Sequence, residues 1–242
     1  MSDRQYLYNR LIENFRNQCE KWQNKEEWKK EKINVVFNND LFDEKIHIDD
    51  VKYIVVADNP GENEKVNSKY LCDSDEGNRS GCIARQIFSM IFKNDLYLVL
   101  NKTPIHTSET DDLKNIPKQF LKESMEYMAN LIYELNKVNK NIQVYIFGLG
   151  DSFDSENERL RKGGIGKDFF WEIKELYAES DLKTPIIAKY FSYYSLFQDF
   201  SIEDGEIIIC KKMKLKDLCE ANAGAFLNAM NGLPYKDWMM NT

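Results

Sequence analysis

Histidine and paired cysteine are scarce in this chain. Two histidines, His47 and His106, occur in 242 residues, so there is no histidine cluster for a metal. The five cysteines are Cys19, Cys72, Cys82, Cys210 and Cys219. Their number is odd and none stands in a C-x-x-C pair, which argues against a disulfide framework or a structural zinc site. The expectation is free, mostly buried thiols, no metal and no cofactor. No apolar run approaches the ~20 residues of a membrane span. The opening Met-Ser-Asp-Arg-Gln-Tyr lacks a basic segment followed by an apolar one, so a cytoplasmic location is expected. Positive charge is also short. The net charge of −7 speaks against wholesale coating of nucleic acid. Two local basic runs remain: Arg159, Arg161, Lys162 and Lys167 around a glycine cluster, and Lys211, Lys212, Lys214 and Lys216. Runs of this kind are usually solvated faces.

What is present is a core. Hydrophobic residues make up 43% of the chain and aromatics 13%, enough for one large α/β domain. Tyr6, Leu7, Leu11, Ile12, Phe15, Cys19 and Trp22 recur at helical steps and predict one or two helices over 3–32, with a short edge element near 33–37. Strands are predicted at 52–57, 95–101, 143–148 and 184–191. Helices are predicted near 80–91, 117–140 and 166–180. A loop or short helix at 192–200, an edge strand at 206–210 and a helix over 215–230 complete the pattern. A long polar loop is expected from Gly61 to about Asn78. Strands alternating with helices imply a mainly parallel sheet with helices on both faces. No repeat or domain boundary interrupts it. The chain divides into an N-terminal helical extension (1–45), a core (50–200) and a C-terminal strand and helix (201–242).

The most informative stretch is Val51 to Glu64. The apolar run Tyr53–Val56 reads as a buried strand, and it stops at Asp58-Asn59-Pro60-Gly61, where proline cannot extend it and glycine allows a turn. In open α/β sheets, ligands bind beyond the carboxyl ends of the strands. Other strand ends fall at Asn101-Lys102-Thr103-Pro104, Phe147-Gly148-Leu149-Gly150 and Tyr190-Phe191-Ser192.

The order and spacing of these ends resemble the uracil-DNA glycosylase superfamily over roughly residues 50–200. Ala57-Asp58-Asn59-Pro60-Gly61 is similar to that family's water-positioning motif in its Asn-Pro-Gly form. Leu98-Val99-Leu100-Asn101 is similar to the Leu-Leu-Leu-Asn strand whose asparagine reads the pyrimidine edge. Val144 to Gly148 is similar to the third family strand. Tyr70 and Gly77-Asn78-Arg79-Ser80-Gly81 look like the loop that holds the base. The resemblance implies a three-layer α/β/α sandwich around a four- to five-stranded, mainly parallel sheet, with the strands in the order 2-1-3-4. It also implies hydrolysis of the N-glycosidic bond of a flipped uracil or related damaged base in DNA. The family's His-Pro-Ser motif has no counterpart in Lys189 to Ser195, which leaves a catalytically silent nucleobase- or nucleic-acid-binding module as the alternative. The cysteines of the iron–sulfur branch are also missing.

Residue by residue, the resemblance makes Asn59 the water-positioning side chain. Asp58 is either a general base or a capped turn residue, and adjacent side chains alternate, so it can also point to the other side of the strand. Pro60 and Gly61 shape the turn. Asn101 reads a base edge, because an amide offers donors and an acceptor in one plane, or else bonds local backbone. Tyr70 stacks on a base or packs in the core. Ser192 or Ser195 keeps a phosphate contact. Glu62 and Glu64 are alternative bases in a solvated loop. His106 replaces the lost histidine or sits on the surface. Arg161, Lys162 and Lys167 beside Gly163-Gly164-x-Gly166 form a weak phosphate site.

Overall fold

The computed structural model describes residues 2–70, 88, 92, 95–148 and 165–186, together with the backbone of 153–154, 159–160, 187–188, 200–203, 206–209 and 213–214. The chain begins with α1 (Asp3–Asn24), whose first turn is capped by the Ser2 hydroxyl accepting from Gln5 N at 3.1 Å. Its buried stripe is Tyr8, Ile12, Phe15, Cys19 and Trp22, at alternating steps of four and three. Tyr6 and Leu7, which were expected on this face, are 53% and 45% exposed, and Tyr8 takes their place. The short α2 (Glu26–Lys30) turns Trp28 back onto Trp22, ring centroids 5.2 Å apart. The edge element near 33–37 is a single antiparallel bridge, Val35 to Ile105.

The four predicted strands form one sheet. They are β1 (Val51–Ala57), β2 (Leu96–Asn101), β3 (Gln143–Phe147) and a fourth at Ile186–Ala188, in the spatial order β2-β1-β3-fourth strand. All three pairings are parallel. This is a small open parallel sheet in a mixed α/β protein, and its order is 2-1-3-4. Between the strands lie α3 (Glu62–Asn67), α4 (Lys118–Val138) and α5 (Lys167–Ala178). Pro117 is the N-cap of α4, where its missing N–H costs nothing. The helix α3 corrects the expectation of an uninterrupted loop after Gly61. Glu62 and Glu64 sit in its first turn, where acidic side chains favour a helix start.

The C-terminal reading also needs correction. Residues 206–209 are a strand, as expected, but not an edge of the parallel sheet. They pair on both sides, with Phe200–Glu203 and Met213–Lys214, in a separate antiparallel three-stranded sheet. The helix expected over 215–230 lies outside the described residues, as does most of the one near 80–91.

Side chains alternate along each strand, so the sheet has two chemically distinct faces. Ile54, Val56, Leu98, Leu100, Val144 and Ile146 share a core with α1, α4 and α5, including Phe15, Met128, Phe169 and Phe170. The N-terminal helices thus contribute to the main core. Tyr53, Tyr97, Tyr145 and Phe147 point the other way. Their rings meet Phe88 and Phe92, which take helical backbone four residues apart, with centroid distances of 4.2 to 6.1 Å. Among the described residues no helix is long and apolar enough to cross a membrane.

Candidate functional site

The two faces sort the polar residues at the strand ends. Lys102 N donates to the carbonyls of Ala57 (2.9 Å) and Asp58 (3.1 Å), so the turn after β2 is tied to the turn after β1. Lys102 continues the Leu98–Leu100 face. Its ammonium is almost entirely buried and meets the Asp58 carboxylate and the Gly148 carbonyl, 5.2 Å from the centroid of the Phe170 ring. Three adjacent strand ends are thereby joined by one cation. Asp58, proposed from sequence as a general base, is instead the partner of Lys102 on the α5 side of the sheet. Its Oδ1 is committed to the Lys102 ammonium rather than directed toward the Asn101 face of the sheet. Lys102 was visible in the sequence only as a polar turn residue, because its partners lie 44 and 46 positions away.

Gly148 has φ +73°, and a Cβ there would overlap the Asp58 carboxylate. Gly148→Ala is therefore expected to destabilise the fold by about 1–3 kcal/mol, from the left-handed backbone and the lost space together. Denaturant unfolding measures this directly, and an unchanged midpoint would mean Asp58 does not sit against Gly148.

Asn101 lies on the opposite face, two residues after Val99 and four after Tyr97. It is in register with Ala57 and completely buried. Neither amide atom finds a hydrogen-bond partner among the described residues. The other buried asparagines differ. Asn38 donates to Val99 O and accepts from the N–H groups of Asp40 and Tyr70. Asn136 donates to Ile142 O and accepts from the Tyr177 hydroxyl. Asn139 donates to the carbonyls of Ile48 and Val51 and accepts from Asn141 N. The local-backbone reading of Asn101 therefore fails. Its amide is left unpaired at the carboxyl end of a strand, where each unpaired buried group costs about 1–3 kcal/mol.

Asn59 occupies the turn after β1. Its Nδ2 donates to Thr107 Oγ1 (2.8 Å) and Pro60 O (3.2 Å), while its Oδ1 is buried without a partner among the described residues. The Pro60 carbonyl also accepts from Thr107 N (3.3 Å) and meets His106 Nδ1 (3.1 Å). The segment after β2 thus folds back over the turn after β1. His106 lies within this contact and is not a surface residue. Its Nε2 is 2.9 Å from Glu62 Oε2, so both ring nitrogens face acceptors and neither is free to support a ligand.

The chain matches no protein-family model and no curated protein.

The remaining candidates distribute unevenly. Glu64, expected as a solvated loop carboxylate, is 6% exposed and accepts from Gly61 N at 2.6 Å, which caps α3. Glu62 is exposed and serves His106. Tyr70 is fully buried, and its hydroxyl donates to Val36 O at 2.6 Å. Burial pushes this phenol well above the ordinary tyrosine range, with Cys19 and Glu64 adding to the effect. It is a core residue rather than an open stacking surface. Lys167 is the first residue of α5, where the helix dipole opposes a cation. Ser192, Ser195, Arg161 and Lys162 lie outside the described residues. Among those described, no group of three or more His, Cys, Asp or Glu side chains is placed to hold a metal.

Proposed function

We propose that the carboxyl ends of β1 and β2 form a site for a flat heterocycle. On this reading the chain is a divergent uracil-DNA glycosylase-like protein of three-layer α/β/α build. It hydrolyses the N-glycosidic bond of a flipped uracil or related damaged base in DNA. The observation that carries the reading is the unpaired, buried amide of Asn101. A buried asparagine with two donors and an acceptor unused matches the N3–H and O4 edge of a pyrimidine lactam. The strand order 2-1-3-4 supports it, and so does Asn59 with a free amide oxygen that can hold, though not deprotonate, a water.

A second reading is a binding module without turnover. It draws on the engagement of Asp58 by Lys102 and of His106 by Pro60 and Glu62, which commits both side chains to partners within the chain.

One set of assays separates these readings. Purified protein is incubated with single-stranded and duplex oligonucleotides carrying uracil or a mismatched base, and abasic sites are revealed by alkaline cleavage. Excision that disappears in Asn101→Ala and Asn59→Ala supports the enzyme. Saturable uracil binding by calorimetry without excision supports the silent module. The absence of both excision and binding would overturn the site.

A further inference from the structure

The polarity of the Asn59 amide is not left to chance. Thr107 is 8% exposed, and its Oγ1 lies 2.7 Å from the Glu109 carbonyl. A carbonyl only accepts, so the single hydroxyl proton goes to Glu109 and the oxygen has only lone pairs for Asn59. The Asn59 amide atom 2.8 Å from that oxygen must then be the donor. The same atom lies 3.2 Å from Pro60 O, a second group that only accepts. Two acceptors around one amide atom identify it as nitrogen and assign the oxygen to the other side. No described residue orients Asn101 in this way.

We propose that Thr107 is a positioning residue for the strand-end site, fixing the Asn59 amide so that Oδ1 is presented to the ligand or its attacking water as a hydrogen-bond acceptor. The inference builds on the function proposed above but makes a claim of its own. The site is built for an asparagine at position 59, and a carboxylate there is misplaced. In Asn59→Asp, one carboxylate oxygen would face the Pro60 carbonyl. The Thr107 hydroxyl would have to abandon Glu109 to serve the other contact. A residue capable of acting as a base would thus be added, and the arrangement that holds it lost.

The test compares Thr107→Val, Thr107→Ser and Asn59→Asp with the wild-type chain. In ¹⁵N-labelled protein the Asn59 side-chain amide protons are expected to exchange slowly in the wild type and in Thr107→Ser. They are expected to exchange at least about tenfold faster in Thr107→Val, as befits the loss of one buried hydrogen bond. In the excision assay, Thr107→Val is expected to lower kcat about tenfold with KM unchanged, because water positioning acts in the transition state. Thr107→Ser should restore it. Asn59→Asp is expected to lose turnover and thermal stability together.

Unchanged amide exchange in Thr107→Val would overturn the assignment, as would an Asn59→Asp variant with higher turnover at unchanged stability. Altered exchange with wild-type kcat would overturn the positioning role. A wild-type chain that excises nothing would sink the glycosylase reading, while the exchange result still decides the orientation of Asn59.

Discussion

Replacing Asn101 with leucine is expected to make the protein more stable and to abolish ligand binding. The wild-type side chain is fully buried with both amide atoms unpaired among the described residues, whereas the other buried asparagines among those residues are paired. Leucine has nearly the same shape and no polar atoms to leave unsatisfied. Relief of the desolvation penalty stabilises by about 1–3 kcal/mol, which in a chain of this size raises the melting midpoint by roughly 2–4 °C per kcal/mol. A gain in stability with loss of function marks a site built for a ligand rather than for the fold. Thermal unfolding with and without uracil provides the check. At 100 times its Kd, uracil should stabilise the wild type by about 2.7 kcal/mol, and it should leave the leucine variant unmoved. A variant that melts lower than the wild type would show that the amide is satisfied within the folded chain, and the proposed site would lose its main support.

The largest loss of stability is expected from Asp58→Asn. Lys102 is held by the Asp58 carboxylate, the Gly148 carbonyl and the Phe170 ring, with its side chain 3% exposed. Removing the carboxylate leaves a buried ammonium with only dipoles for company. Breaking a buried pair in this way costs about 3–5 kcal/mol. Lys102→Met is expected to cost less, because the Asp58 side chain is 20% exposed and water can reach the abandoned carboxylate. The double variant should be more stable than Asp58→Asn alone, since neither charge is then stranded. Chemical denaturation of the four proteins measures this coupling. If the double variant loses the sum of the two single losses, Asp58 and Lys102 act independently and the joining of the strand ends is not real. A paired result also bears on the site, because Lys102 follows Asn101 directly and Asp58 precedes Asn59.

Much of this arrangement was legible in the residues. Short apolar runs located the four strands of the parallel sheet, and Pro60-Gly61 marked where the first one stops. Alternation along β1 already allowed Asp58 to point away from its neighbour, and the structure places it against α5. The short helix after Gly61 also had its signal, with glutamates at its first and third positions, but six residues are too few for a periodic apolar face to mark it. The strand at 206–209 was legible as a strand, whereas its partners were not.

Local sequence by itself determined the four strands of the parallel sheet and the long helices α1, α4 and α5, because side-chain periodicity and turn chemistry act over a few residues. It also determined which polar residues stand at strand ends. Only the tertiary structure decided what those residues do. Lys102 reaches Asp58 and Gly148, Thr107 orients Asn59 across 48 positions, and His106 closes on Pro60 and Glu62. Each contact joins segments far apart in the chain, so no periodic pattern records it. Whether a buried amide is paired depends on every group within about 3 Å of it, and that set is fixed by packing rather than by neighbours in sequence.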